Sequence, residues 1–150
     1  MKIAIGADHA GFEMKERIKR HLAAQGLTVL VFGTTSREST DYPQYAFRVG
    51  EAVRDRVADR GVLICDSGNG IAMAANKVEG IRAALCVSPK HAEMSRRHND
   101  SNVLVLGSSI LPLSEEASTV DTWLATEFEG GRHGRRVDQI SEYEHSHQRR

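Results

Sequence analysis

The segment richest in chemistry is Cys65-Asp66-Ser67-Gly68-Asn69-Gly70. A thiol ends the apolar run Gly61 to Cys65, a glycine-rich turn follows, and an alanine-rich stretch then continues to about Lys77. Such a turn aims backbone N–H groups, and the positive end of the helix it opens, at one point. That arrangement stabilises a bound anion, or an oxyanion that develops during reaction. A helix N-terminus also lowers a thiol pKa from its usual value of about 8.5. Cys65 is therefore a candidate base or nucleophile beside a preformed anion hole. The alternative is a core cysteine followed by an ordinary strand-to-helix turn. No Lys-Ser/Thr follows to make a P-loop, and the glycines do not fit Gly-x-Gly-x-x-Gly. Cys86 lacks a glycine turn and reads as core.

Three further segments bear on chemistry. Asp8-His9 directly follows the first apolar run. A buried carboxylate beside an imidazole fixes its tautomer, whereas the plainer reading is a helix-capping Asp with an exposed His. His98-Asn99-Asp100 precedes the fifth apolar run, where a lone His is more often structural. Arg132 and Arg136 are four apart, on one helix face, and no acid interrupts positions 132–136. Arginines so placed suit a phosphate, which accepts bidentate hydrogen bonds, and a solvated basic turn is the alternative. The seven histidines show no His-Glu-x-x-His spacing and the two cysteines, 21 apart, define no zinc site, so no metal is expected.

The elements that must position these groups alternate in type. Lys2–Gly6, Leu27–Phe32, Gly61–Cys65, Ile81–Val87 and Asn102–Leu106 read as strands. Between them, Ala10–Gln25 carries Met14, Ile18 and Leu22 at helical spacing and ends at Gly26. Tyr45, Ala46, Val49, Ala52, Val53 and Val57 mark a second helix, Lys90–His98 another after Ser88-Pro89, and Ala117, Val120 and Leu124 a further one. Arg132 to about Tyr143 forms the last. This predicts an α/β fold: a single Rossmann-like three-layer domain with a five-stranded parallel sheet, helices on both faces and a C-terminal helical extension. Residues 1–140 form the domain and 141–150 a polar tail. Ligands in such folds bind at the carboxyl ends of the strands near a topological switch point.

Composition narrows the function further. The chain has 150 residues, 20 basic and 20 acidic, with no net charge. That is about one domain, with the hydrophobic content of a globular protein rather than a disordered one. Zero net charge argues against a nucleic-acid partner, and no apolar run approaches the roughly 18 residues of a membrane span. Two cysteines in apolar runs suit a reducing cytoplasm, and the N-terminus lacks the pattern of a secretory signal.

Taken together, the motifs resemble those of ribose-5-phosphate isomerase B and the related galactose-6-phosphate isomerase subunits. They are Gly6-Ala7-Asp8-His9-Ala10-Gly11-Phe12, Thr40-Asp41-Tyr42-Pro43, Cys65 with Ser67-Gly68-Asn69-Gly70, and Ala74-Ala75-Asn76-Lys77. Gly80-Ile81-Arg82-Ala83-Ala84, Arg97-His98-Asn99-Asp100-Ser101-Asn102-Val103 and Glu129-Gly130-Gly131-Arg132-His133 extend the match over about residues 1 to 140. The resemblance implies an aldose–ketose isomerase that uses no metal or other cofactor. It also implies a homodimer or dimer of dimers whose sites lie between subunits. By the same resemblance, Cys65 is the base that moves a proton between C1 and C2. Members that use a glutamate carry it where Ile71 stands here. Ser67 and the amides from Gly68 through Asn69 and Gly70 to Ile71 form the hole for the enediolate. His98 helps open the sugar ring with Asp8 as partner, Asn99 binds hydroxyls, Tyr42 lines the site, and His9, Arg132 and Arg136 hold the phosphate. Two positions depart from the family pattern: Asp66 stands where glycine is common, and Ser109 where an arginine is. A carboxylate at Asp66 either raises the thiol pKa or points into the site to bind a hydroxyl. The expected substrate is ribose 5-phosphate. The alternatives are allose 6-phosphate, galactose 6-phosphate, a tetrose phosphate, an unphosphorylated sugar, or sugar-phosphate binding without catalysis.

Overall fold

The computed structural model describes residues 1–147. Five strands, β1 (Lys2–Ala7), β2 (Thr28–Val31), β3 (Arg60–Cys65), β4 (Ala83–Leu85) and β5 (Val103–Gly107), form one parallel sheet in the order β2-β1-β3-β5-β4. The helices are α1 (Phe12–Ala24), α2 (Tyr42–Arg54), α3 (Asn69–Ala75), α4 (Pro89–Asn99), α5 (Glu116–Ala125) and α6 (Arg132–His147), with 3₁₀ turns at His9–Gly11 and Leu113–Glu115. The chain leaves β1 toward β2 on one side and returns to place β3 on the other. The switch point therefore lies between the carboxyl ends of β1 and β3.

The central strands are buried on both faces, which explains their unbroken apolar runs. On one face Ile3, Ile5, Val62, Ile64, Leu104 and Leu106 meet Met14, Ile18 and Leu22 of α1, Ala92 of α4, and Val120 and Trp123 of α5. On the other, Ala4, Leu63, Cys65, Val103 and Val105 meet Ala46, Val49 and Val53 of α2 and Ile71 and Ala75 of α3. Each large side chain so buried contributes roughly 1.5–3 kcal/mol. Together these contacts fix which strand ends lie side by side.

Several sequence expectations shift. The strand read as Ile81–Val87 is reduced to the three residues Ala83–Leu85, and it lies at the sheet edge beyond β5. Val57 lies beyond α2 and is exposed, because the helix stops at Arg54 and Arg56 turns the chain with φ of 59°. On α5 the buried face is Glu116, Thr119, Val120 and Trp123, and Ala117 is exposed. Two polar anchors set that rotation. Trp123 Nε1 donates to Ser101 Oγ (2.9 Å), and Arg17 donates to both carboxylate oxygens of Glu116 (2.9 and 2.7 Å). Helix α6 packs on α4 and runs to His147, through most of the stretch read as a tail. The remainder of that stretch, 148–150, lies outside the described residues.

Candidate active site

Cys65 is the last residue of β3, and its Cα pairs in register with Gly107 at the end of β5. The residue is 5% exposed, and its thiol accepts a hydrogen bond from the Gly68 amide at 3.2 Å. Gly68 makes this possible with φ of +86°, a conformation that strains any residue with a side chain. The helix-terminus argument predicts a depressed thiol pKa, but the balance goes the other way. Burial is the largest influence and pushes the Cys65 thiol up. The amides of Ile71, Gly68 and Ser67 pull it down, and the neighbouring Asp8 charge adds to the upward push. Burial prevails partly because α3, at seven residues, is a short helix with a small dipole. The carboxylate felt by the thiol is Asp8, across the switch point, rather than its chain neighbour Asp66.

Around the thiol the loop is already partly engaged. The Asn69 amide donates to Ser67 Oγ (3.2 Å). Gly70 lies under the ring of Tyr42: a Cβ there would stand 2.5 Å from Tyr42 Cζ and 2.7 Å from its hydroxyl. Tyr42 thus forms a wall of the loop, and Gly70 is the residue that admits it. Asp66 is exposed at the mouth, and its carbonyl accepts from both the amide and the hydroxyl of Ser109 (3.0 Å each). The two positions that depart from the family pattern are therefore in contact.

Asp8 is buried at the end of β1 and does what a helix cap does. Its Oδ1 accepts from the amides of Ala10 (3.1 Å) and Gly11 (3.2 Å). His9 is exposed, and the Thr40 amide donates to its Nδ1 at 3.2 Å. The same Nδ1 also faces the Thr40 carbonyl at 3.3 Å, so Thr40 engages this nitrogen and Nε2 is the one free to meet a ligand.

The other expected site residues stand at the opposite end of the sheet. Helix α4 runs antiparallel to the strands, so His98 and Asn99 in its last turn lie beside the amino end of β5. Arg132 and Arg136, both exposed, start α6 next to them. The register of β3 and β5 puts four residue steps between the two levels, about 13 Å of strand. One chain therefore brings Cys65, Asp66, Ser67, Gly68, Asn69, Gly70, Ile71, Asp8, His9 and Tyr42 together, and gathers His98, Asn99, Arg132 and Arg136 elsewhere. Asp8 and His98 cannot pair within one copy.

The second cluster holds groups that spacing arguments did not single out. The rings of His98 and His133 stack with centroids 4.4 Å apart and planes 16° from parallel. Glu129 Oε2 faces His133 Nε2 at 4.0 Å, and Glu129 Oε1 accepts from Arg97 at 2.9 Å. Burial is the main influence pushing the His133 pKa down, with His98 and Arg132 acting in the same direction. The residues Glu129 and His133 are four apart, which is the one signal the sequence carried. A groove of 630 Å³ lies beside this cluster between α6 and the approach to β4, and Arg82, Asn99, Ile140 and Tyr143 line it. No described helix is long and apolar enough to cross a membrane.

Known proteins share this architecture and sequence. The family model described as Ribose/Galactose Isomerase matches residues 3–140. The chain is 49% identical to ribose-5-phosphate isomerase B of Escherichia coli K12 over 143 residues, 95% of this chain and 96% of that protein. Ribose-5-phosphate isomerase B of Clostridium thermocellum superposes with a TM-score of 0.96 at 49% identity, covering 97% of this chain and 99% of that one. A Mycoplasma genitalium ribose-5-phosphate isomerase B with bound ribulose-5-phosphate superposes with a TM-score of 0.93 at 43% identity, covering 96% of each chain. A match across the whole sheet, including both clusters, has one reading: the chain belongs to the ribose/galactose isomerase family of enzymes.

Proposed function

We propose that this protein interconverts ribose 5-phosphate and ribulose 5-phosphate, with Cys65 as the base. The observation that carries the reading is the Cys65 thiol at the switch point, held under the amide of Gly68 and beside those of Ser67 and Ile71. In the aldose-to-ketose direction, Cys65 as thiolate takes the proton from C2, and the electrons of that bond flow into the carbonyl at C1. The charge that builds on O1 is met by amides of the Ser67–Ile71 loop and by the Ser67 hydroxyl. A proton shift between the two enediolate oxygens, followed by return of the thiol proton to C1, completes the ketose with atoms balanced. C1 is reduced and C2 oxidised within the one sugar, so the steps need no external oxidant or reductant.

The phosphate would be held by His9 Nε2 together with Arg132 and Arg136. Those arginines reach the loop only if supplied by a second copy. A homodimer solves this for two sites at once, because the same two surfaces meet twice about a two-fold axis. His98 of one copy would then open the ring over the Cys65 of the other, with Asp8 as its partner and Asn99 on the hydroxyls. Exposed apolar side chains support such a face: Met73 on α3 is 68% exposed and Tyr143 on α6 is 67% exposed. Activity in the cytoplasm agrees with two unpaired cysteines. The test is ketose formation from ribose 5-phosphate, allose 6-phosphate and galactose 6-phosphate, beside Cys65→Ala. Turnover best on ribose 5-phosphate and lost in Cys65→Ala supports the reading. Undiminished turnover in Cys65→Ala removes the base assignment, and tight binding without turnover of any sugar makes the protein a binder.

A further inference from the structure

The cluster at the amino end of β5 has a property that isomerisation does not call for. His98 Nδ1 or Nε2, a ring nitrogen of His133 and a carboxylate oxygen of Glu129 all lie within 4.8 Å of one another. The 4.0 Å between His133 Nε2 and Glu129 Oε2 is too long for a hydrogen bond. Two ligands on a tetrahedral zinc ion, with bonds of about 2.0–2.1 Å, stand about 3.3 Å apart, and a ring nitrogen binds in its own plane, so seating an ion takes closure of these distances together with rotation of one imidazole out of the stack. Two imidazoles and one carboxylate are the donor set of open zinc sites, which leave a fourth position free.

The surroundings hold the carboxylate donor in place. Glu129 is tied to α4 twice: its amide donates to the Arg97 carbonyl (3.1 Å), and its Oε1 accepts from Arg97 (2.9 Å). That second bond leaves Oε2 for a metal and supplies the outer partner that ligating carboxylates usually have. Gly130 and Gly131, both with positive φ, turn the chain so that His133 falls back over His98. Arg97, Arg132 and Arg136 oppose a cation here. The site therefore suits a borderline ion that gains covalent character from imidazole, rather than calcium or magnesium.

We infer that His98, Glu129 and His133 form a site for a divalent transition metal such as Zn²⁺, and that its occupation withdraws His98 from the sugar. The second half rests on the ring-opening role proposed for His98; the first does not. Zinc would act as a reversible inhibitor, competing with substrate rather than assisting it.

Two arms separate these statements. The first measures binding of Zn²⁺ by calorimetry, and of Co²⁺ by visible absorption, to the full chain carrying Cys65→Ser, His145→Ala and His147→Ala, which removes competing donors. One ion per chain is expected. Adding Glu129→Gln or His133→Ala should weaken binding about tenfold or more, with the fold checked by circular dichroism. Glu129→Gln is exposed and near-isosteric, so it decides the matter if His133→Ala does not fold. Unchanged affinity in Glu129→Gln overturns the site. The second arm titrates Zn²⁺ into ribose 5-phosphate turnover by the chain with Cys65 intact. Inhibition reversed by EDTA, and shifted about tenfold or more by Glu129→Gln, is expected. Binding in the first arm with no inhibition in the second overturns the withdrawal of His98. Absence of turnover without metal overturns the isomerase reading instead, and leaves the binding arm to decide the site.

Discussion

Two dead enzymes should make a live one. Cys65 and His98 lie at opposite ends of the sheet, about 13 Å apart along the register of β3 and β5. If each working site takes Cys65 from one copy and His98 from another, Cys65→Ala and His98→Ala damage different halves. Each variant alone should lose about 10²–10⁴ of its rate, the usual contribution of a positioned proton-transfer group. Unfolding the two together and refolding them at equal amounts gives mixed dimers as about half of the population. Within a mixed dimer one site inherits both lesions and the other inherits neither. Half of the dimers with half of their sites intact returns about a quarter of wild-type activity. The assay is ribulose 5-phosphate formation from the refolded mixture, beside each variant refolded alone. Recovery no greater than the two parents show would mean that the groups meet within one chain. Recovery well above a quarter would be equally damaging, since random pairing of shared sites leaves only a quarter of them free of both lesions.

Other outcomes follow from named contacts. Burial keeps the Cys65 thiol protonated at neutral pH, so kcat/KM should climb with pH through the neutral and mildly alkaline range, about tenfold per unit until the thiolate dominates. A flat pH–rate profile would remove the thiol from proton transfer. Cys86, pushed up to about 11 by burial from an ordinary 9.0, keeps its proton in the folded chain after the unfolded chain has lost it. Stability should therefore fall between about pH 9 and 11, by on the order of 2–3 kcal/mol from this group. Urea unfolding at both ends of that range should show a smaller decline in Cys86→Ala, and an identical decline would refute the cause. Gly70→Ala drives a methyl into the Tyr42 ring and should cost about 1–3 kcal/mol in the same assay. Much of that loss should return when Tyr42→Ala is added, and strict additivity would show that the ring is not the obstacle. Arg132→Ala or Arg136→Ala should raise KM for ribose 5-phosphate far more than it lowers kcat, and an unchanged KM would take either residue off the phosphate.

The strands and the carboxyl-end cluster were legible because both are local. Cys65, Ser67, Gly68 and Gly70 are consecutive enough for spacing to fix their geometry, and Met14, Ile18 and Leu22 announce α1 by period alone. Strand order was not legible. A strand apolar on both faces carries no record of its neighbours, so nothing in Val103–Leu106 says that β5 sits between β3 and β4. That order, with the direction of α4, is what separates His98 from Cys65. The face of α5 read from Ala117, Val120 and Leu124 omits Glu116, which is buried because Arg17, far away in sequence, meets it. The sign of the Cys65 shift was missed for the same reason: a dipole can be read from a turn, but burial depends on the layers that close over it.

The burial of Cys65 also bears on redox chemistry. Peroxide and disulfides attack thiolates that solvent can reach. A buried thiol whose pKa is pushed up by that burial offers neither condition. Cys86 sits deeper still, so neither sulfur is a ready substrate for oxidation. Dimedone labelling after peroxide should be slow in the free enzyme. Turnover measured after a peroxide pulse should therefore fall little.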